Sequence, residues 1–287
     1  MPTLDHLILL VPSLDPAALA PFSSAGLTIL PGGTHADNVT ANVLVPLPDG
    51  VYLELIAFVH PDSARRVPHW WGNKADGWID WSLAPPGTTA EVLAEVEARA
   101  GTQPYDAPVS GGRVTPDGRK LEWKVTFPKL EAGQKRGVRP FWCEDVSPRE
   151  WRVSSRRLPP PSLTLAPNVQ LNSPFSPQAP SLPSPHPNGA SRIAELVLLA
   201  TPGARAAYVA KLAHVFGPAL EGTRHVFELA APAVGDPVKV LVREPESEAE
   251  REWVAERGEG LYEVAIAGAK EETVVGEEAG ARIRFVI

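Results

Sequence analysis

Leu4-Asp5-His6-Leu7-Ile8-Leu9-Leu10-Val11 is the stretch on which the reading of the chain turns. It is apolar almost throughout and rich in branched side chains, so it predicts a buried β-strand. One imidazole, His6, interrupts it. A helix start follows, with Asp15 as N-cap, Pro16 at the first helical position and Gly26 as the stop. The same kind of unit recurs. Trp78-Ile79-Asp80-Trp81-Ser82-Leu83 leads into a helix over 90–100, capped by Thr88 or Thr89 and stopped by Gly101. Ile193-Ala194-Glu195-Leu196-Val197-Leu198-Leu199-Ala200 leads into a helix over 204–216, stopped by Gly217. Each opening strand thus carries a polar group, His6, Asp80 or Glu195, in an apolar run.

Further strands complete each unit. In the first, Leu27-Thr28-Ile29-Leu30 is a short segment ended by Pro31-Gly32-Gly33. Strands over 41–46 and 51–58 are then joined through the turn Pro48-Asp49-Gly50, where Pro presets one dihedral and Gly accepts a positive φ. In the second, strands are expected over 107–114, 120–127 and 139–144, with Pro116-Asp117-Gly118 as a turn. The third has strands over 225–230 and 238–243. An acidic helix over 247–257 and strands over 261–267 and 282–287 resemble a reduced fourth unit.

Between the second and third units, ten of the thirty residues from 158 to 187 are proline, which excludes a helix or a central strand there. The expected organisation is therefore two βαβββ modules over 1–150, a proline-rich linker or wrapped loop over 151–187, and a third module with a partial fourth over 188–287. The fold class is α+β. A βαβββ unit cannot bury both faces of its small sheet alone, so such units pair and curve around a pseudo-barrel cavity.

The formal charge of -7 and pI near 5.6 give no reason to expect nucleic acid or an anionic membrane as partner. A single cysteine, Cys143, excludes an intrachain disulfide and a thiol-rich metal site, and reads as a small apolar residue. The chain enters a strand directly after Met-Pro-Thr, and no apolar run approaches the ~20 residues that span a bilayer. The expectation is a soluble cytoplasmic protein, monomer or homodimer, with a small-molecule substrate. Nucleophile elbow, phosphate loop, dinucleotide fingerprint and His-Glu-x-x-His are all lacking from the sequence.

Several segments carry a family resemblance. Leu4-Asp5-His6-Leu7-Ile8, Pro31-Gly32-Gly33-Thr34-His35, Ala41-Asn42-Val43-Leu44 and Tyr52-Leu53-Glu54-Leu55-Ile56-Ala57-Phe58 resemble the glyoxalase-like domains of the vicinal oxygen chelate superfamily. Gly112-Arg113, Leu121-Glu122-Trp123, Arg139-Pro140-Phe141-Trp142 and His186-Pro187-Asn188-Gly189-Ala190 extend it. The superfamily holds isomerases, dioxygenases, epimerases, thiol transferases and metal-free binding proteins, so the resemblance specifies a fold rather than a reaction. It implies a divalent metal, Zn, Ni, Fe, Mn or Co, held by His6 on the first strand and Glu54 on the fourth. The partner module offers Asp80, or Ile79 in a slipped register, and then Glu144 or Asp145. Closure by the third unit would instead bring Glu195 with Glu244 or Glu263. A set rich in carboxylates is unlike the commoner imidazole-rich ones, so a site without metal stands as the other expectation.

His35, Asn42, Arg113 and Trp123 are the candidate substrate-binding residues, with Arg119 beside them. Each also has a bland reading: turn chemistry for His35 and Asn42, cross-strand pairing for the others. The tryptophans from Trp70 to Trp81 read as connector packing, and His186 as part of a turn. The expected function is a lyase, isomerase or dioxygenase acting on a small oxygenated molecule. Metal capture of adjacent oxygens would stabilise an enolate-like state, and Glu54 or Glu144 would bind the metal or move a proton. The alternatives are a metal-free protein that sequesters a small molecule, and an interaction module using the proline-rich segment.

Overall fold

The computed structural model describes residues 1–61, 64–115, 118–131, 134–152, 186–222, 224, 226–232, 235–277 and 280–287. Residues 153–185, which hold most of the proline-rich segment, lie outside the described residues, as do Pro116, Asp117 and His225. The chain forms two sheets and five helices among these residues. The first unit comprises β1 (Thr3–Leu10), α1 (Pro16–Ser24), β2 (Leu30–Thr34), β3 (Thr40–Pro46) and β4 (Tyr52–Phe58). The second comprises β5 (Gly77–Ala84), α2 (Thr89–Ala100), β6 (Val109–Val114), β7 (Lys120–Thr126) and β8 (Phe141–Asp145), followed by the short α3 (Arg149–Arg152). Both share one eight-stranded sheet of order β2-β3-β4-β1-β5-β8-β7-β6.

That sheet curves until its two edges nearly meet. His35, just past β2, bridges to Arg113 on β6, and the Ala36 N–H donates to Gly112 O at 2.8 Å. The fold is the expected α+β class with a curved, almost closed sheet. One element differs from expectation. The strand β2 runs through Pro31-Gly32-Gly33 instead of ending there. It pairs only with β3, so the N–H missing from Pro31 breaks no ladder bond. A bulge between Pro31 and Gly33 presses Gly32 against Asn42, where a Cβ would collide with the Asn42 carboxamide oxygen. Likewise the last strand of the second unit starts at Phe141 and not at Arg139.

The remaining elements are β9 (Arg192–Leu199), α4 (Arg205–Phe216), β10 (Phe227–Leu229), β11 (Val238–Arg243), α5 (Glu248–Arg257), β12 (Gly260–Ala267), β13 (Thr273–Val275) and β14 (Arg282–Val286). They form a six-stranded sheet of order β10-β11-β9-β12-β14-β13. This order repeats the inner six strands of the first sheet. In both, the opening strand runs parallel to the last strand of its own unit and antiparallel to the next opening strand. What the second sheet lacks, among the described residues, are counterparts of β2 and β6, the two strands that close the first.

The two sheets pack face to face. Leu7, Leu9, Leu53, Leu55, Trp81 and Trp142 of the first share one apolar core with Leu196, Leu198, Val240, Val264, Ile266 and Phe285 of the second. Alternate residues of the first sheet turn the other way. Ile8, Ile56, Phe58, Phe127 and Phe141 form a separate apolar cluster on the concave side. Both faces of β1 and β4 are therefore buried, which is why these strands read as nearly continuous apolar runs. Of the two expected caps, Thr88 is the N-cap of helix α2, and it forms a capping box in which Thr88 and Glu91 exchange hydrogen bonds. No helix among the described residues is long and apolar enough to cross a membrane.

Asp49, in the turn before β4, fastens the sheets together. Its carboxylate accepts the Ile193 N–H at 2.8 Å and the Val51 N–H at 2.9 Å, and its own N–H donates to Ser191 O. Burial pushes this carboxyl up to about 6 against those hydrogen bonds. The folded chain thus holds the Asp49 proton more tightly than the unfolded chain does. The stability this confers is complete below the unfolded pKa and is lost as pH rises through about 6. Urea unfolding of the wild type and of Asp49→Asn at pH 4 and pH 7 measures it. The wild type should lose on the order of 3 kcal/mol more than the variant across that interval.

Candidate active site

The concave face of the first sheet lines a cavity of about 790 Å3, its open mouth included. One end is aromatic, with Trp70, Trp71, Trp123, Phe127 and Phe141 on its wall; the other is polar, built by β1, β3, β4 and the turn after β2. Position 6 of β1 and position 54 of β4 fall on this face by strand alternation. His35 follows β2, and Asn42 lies on β3.

Glu54 is the hub. Its Oε1 accepts the Asn42 amide at 2.6 Å and lies 3.4 Å from His35 Nε2, while its Oε2 lies 3.5 Å from His6 Nε2. Burial raises the pKa of this carboxyl. The His35 hydrogen bond and charge, the His6 charge and the Asn42 amide outweigh burial and hold it at about 2. Glu54 is therefore an anion throughout the physiological range and a weak base.

Each imidazole is held from behind. His6 Nδ1 lies 3.1 Å from Asp5 Oδ2, and the His6 ring stacks on Tyr52 at 4.7 Å. His35 Nδ1 lies 2.7 Å from Thr40 Oγ1, and Trp123 packs edge-on against the ring. Asn42 is oriented by its Oδ1, which accepts the Gly33 N–H at 3.1 Å, so its NH2 faces Glu54 and His35. The bulged, glycine-containing β2 is what lets this backbone donor come so near.

A charged layer supports His6. Asp5 is fully buried, and Arg152 donates to it at 3.0 Å; Arg149 also pairs with it. Burial raises the Asp5 pKa, but Arg152, Arg149 and His6 overcome this and hold it well below the usual carboxylate range. Arg152 further donates to Asp145 at 2.8 Å and to the Tyr52 hydroxyl at 2.8 Å. With Asp5 ionised, the proton on His6 Nδ1 points at Asp5, and Nε2 is left to face Glu54 and the cavity.

The candidates separate cleanly. His6, Glu54, His35 and Asn42 converge within hydrogen-bonding range, and Arg113 and Trp123 line the same cavity. Arg113 donates to Gly32 O and Arg152 O. Asp80 does not join them. Its carboxylate accepts the Trp71 indole N–H at 2.8 Å and the Trp81 N–H at 3.0 Å, behind the aromatic wall. Glu144 turns outward and accepts the Thr89 N–H at the start of α2. Cys143 lines the cavity, but burial pushes its thiol far up. Arg119 stacks over Trp151, outside the cavity lining.

On the second sheet, Glu195 and Glu263 sit in a ladder of ion pairs with Arg284 and Arg282. Glu244 accepts the Gly203 N–H in a loop. His186 is in the expected turn, where its carbonyl accepts the Gly189 N–H.

The sequence reading missed Asp5, Tyr52, Thr40 and Arg152. Asp5 had a signal, since a carboxylate inside an apolar strand needs a partner. Arg152 had none, because α3 is four residues long and its partner lies far away in sequence.

The donor types match a two-imidazole, one-carboxylate metal set, and the Asp5 and Thr40 contacts resemble its usual outer support. The arrangement does not fit a metal. The Asn42 NH2 stands 2.6 Å from Glu54 Oε1 and 3.3 Å from His35 Nε2, where a cation would have to meet these atoms. Among the described residues, no group of three His, Cys, Asp or Glu donors is placed to hold a metal ion. Asp80, expected in that set, is committed to two tryptophans.

Fold and cavity together define the class: a βαβββ pseudo-barrel with an imidazole–carboxylate cluster inside. The family model described as a glyoxalase-like domain matches residues 4–216, and the chain belongs to that family. No curated protein matches the sequence. A solved structure of a hypothetical protein from Staphylococcus aureus is similar over 100% of this chain and 99% of its own, with 14% identity and a TM-score of 0.67. A mutant 4-hydroxymandelate synthase from Streptomyces coelicolor is 10% identical over 93% of this chain and 71% of its own, with a TM-score of 0.48. Methylmalonyl-CoA epimerase from Mycobacterium tuberculosis is 13% identical over 50% of this chain and 89% of its own, with a TM-score of 0.35. These likenesses concern the fold.

Glu54 gives a pH prediction of opposite sign to that of Asp49. Its folded pKa lies below the unfolded value, so its contribution is present above about 4.5 and is lost as pH falls through about 2. Denaturant unfolding of Glu54→Gln at pH 6 and pH 2 should show an acid-induced loss smaller than the wild type's by on the order of 3 kcal/mol. Because the Asn42 amide stands where a cation would bind, dialysis against a strong chelator should leave the melting temperature unchanged, and purified protein should carry far less than one metal per chain.

Proposed function

We propose that the cavity of the first sheet is the active site of an isomerase- or lyase-type enzyme. Its substrate would be a small oxygenated organic molecule with an apolar or aromatic body. The observation that carries this reading is the convergence of two imidazoles on one buried carboxylate at the polar end of an aromatic cavity. Groups of this kind at the floor of a concave apolar site suit proton transfer next to a carbonyl.

In this mechanism the aromatic wall takes the body of the substrate and excludes water. Glu54, too weak a base to remove a carbon-bound proton, holds both rings and stabilises positive charge on them. When His35 is neutral with Nδ1–H donating to Thr40, it gives up its hydrogen bond to Glu54, and its Nε2 lone pair on the cavity side acts as the base. His6, as an imidazolium with Nδ1–H held by Asp5 and Nε2–H beside Glu54, donates the Nε2 proton to the developing oxyanion and is left neutral. The divalent-metal assistance that the family resemblance implies has no part in these steps. Residues 1–150 would be the working domain, and the second sheet, with ion pairs on the corresponding strands, its support.

The closed hydrogen-bond net around Glu54 favours a second reading, a binding protein that sequesters the same class of molecule without chemistry. Proton NMR in D2O separates the two. The protein is incubated with a panel of small 2-oxo acids and α-hydroxyketones, and deuterium incorporation next to the carbonyl is followed. Enzyme-catalysed exchange should fall by about 10²–10⁴-fold in His35→Gln and in His6→Gln while both variants remain folded by circular dichroism. A panel member that binds saturably to the wild type without any exchange would overturn the catalytic reading in favour of the binder.

A further inference from the structure

A second cleft, of about 670 Å3, opens on the seam between the two sheets. The loop 73–75 and the start of β5 form one side. Residues 135–137, the C-terminal half of α5 and the start of β12 form the rest. It is separate from the first cavity. Trp71 belongs to the wall of the first, and its hydrogen-bond partner Asp80 to the wall of the second.

Four cations line this cleft: Lys74, Lys135, Arg136 and Arg257. Each is anchored on a main-chain carbonyl. Lys74 donates to Arg136 O, Lys135 to Glu256 O at 2.7 Å, Arg136 to Pro128 O at 3.1 Å and Arg257 to Asp76 O. Among the described residues, none of the four forms an ion pair with a carboxylate within 4.0 Å. Carbonyl anchors fix the positions of these charges without neutralising them. Burial lowers the Lys74 ammonium to about 8, so it remains mostly charged at neutral pH.

The carboxylates nearby cancel this field only in part. Asp80 is turned to its two tryptophans; burial pushes it up to about 6, so at neutral pH it is still mostly an anion that Lys74 and Arg136 feel. The Glu259 carboxylate is turned toward the Thr201 N–H, and Glu256 is exposed. A further donor is unused. Trp253 lines the cleft, and its indole N–H is buried with no partner among the described residues. An indole N–H can only donate, and leaving it unpaired is costly. The wall therefore sets four fixed cations against three carboxylates, Asp80, Glu256 and Glu259, around an acceptor-sized space beside the Trp253 ring.

We propose that this cleft is a second ligand site, which takes the phosphoryl groups of a small polyanion. A multiply charged oxyanion satisfies several fixed cations at once, where a monocarboxylate would leave most of them unmatched. Two sources share that chemistry: a free phosphoryl anion, or the diphosphate of a nucleotide whose base lies on the Trp253 ring.

Isothermal titration of the full chain with sodium pyrophosphate, and separately with ADP, in phosphate-free buffer of low ionic strength tests the site. At least one should bind saturably. Lys135→Ala/Arg257→Ala should weaken that binding at least about tenfold with the fold intact by circular dichroism. Trp253→Phe keeps the ring, removes the N–H and should weaken it about threefold or more. If the double variant does not fold, Trp253→Phe decides alone. Tighter binding of ADP than of pyrophosphate assigns the phosphoryl groups to a nucleotide, and equal binding assigns them to the free anion. The proposal is overturned if neither probe saturates by about 5 mM, or if the folded variants bind as the wild type does.

Discussion

The central strands of the first sheet have no solvent face. One side of β1, β4 and β5 packs on the second sheet, and the other closes over the cavity. Every charged side chain placed there must find a partner within the protein, because an unpaired buried charge costs far more than a marginally stable fold can tolerate. His6, Glu54, Asp5 and Asp80 all obey this constraint, by different means. Asp5 has two guanidinium groups. Glu54 has two imidazoles and an amide. Asp80 has only neutral N–H donors, and its raised pKa reflects that poorer compensation.

The inner order of the second sheet repeats that of the first, so the fold-determining pattern is present twice. Among the described residues the second sheet has no counterparts of β2 and β6, and so no wall to carry an equivalent of His35 or Arg113. The inward positions become a ladder of Glu–Arg pairs, as Glu195, Glu263, Arg282 and Arg284 show. Cavity chemistry therefore resides in the edge strands as much as in the opening strand. The seam between the sheets adds a second concave region, built from loops and from α5 and not from the repeated units.

Much of the candidate site could be read from residue type and position. His6 and Glu54 stood out as polar groups in strongly apolar strands, and their shared face follows from strand alternation. His35, Asn42, Arg113 and Trp123 came from short segments near turns and hairpins. Asp80 and Glu144 had the same local credentials and went elsewhere. Asp80 sits behind the aromatic wall because a bulge in the β1–β5 pairing brings it under Trp71. Glu144 points outward at the end of its strand, where the first N–H groups of α2 need an acceptor. The register of one strand pair and the place of one helix end decided both, and neither is written in local sequence.

The sequence by itself determined the repeated βαβββ unit, the α+β class, the capped helix over 90–100 and the likeness of the opening strand to its two later counterparts. Apolar periodicity, caps and turn residues act over a few positions, so a linear reading recovers them. Only the tertiary structure decided which polar residues meet. The Asp5–Arg152 pair joins residues 147 apart in the chain. The seam cleft draws its cations from three separate segments. Such contacts are fixed by the curvature of one sheet and its packing on another, and burial then selects, among many possible partners, those that can satisfy one another's charge.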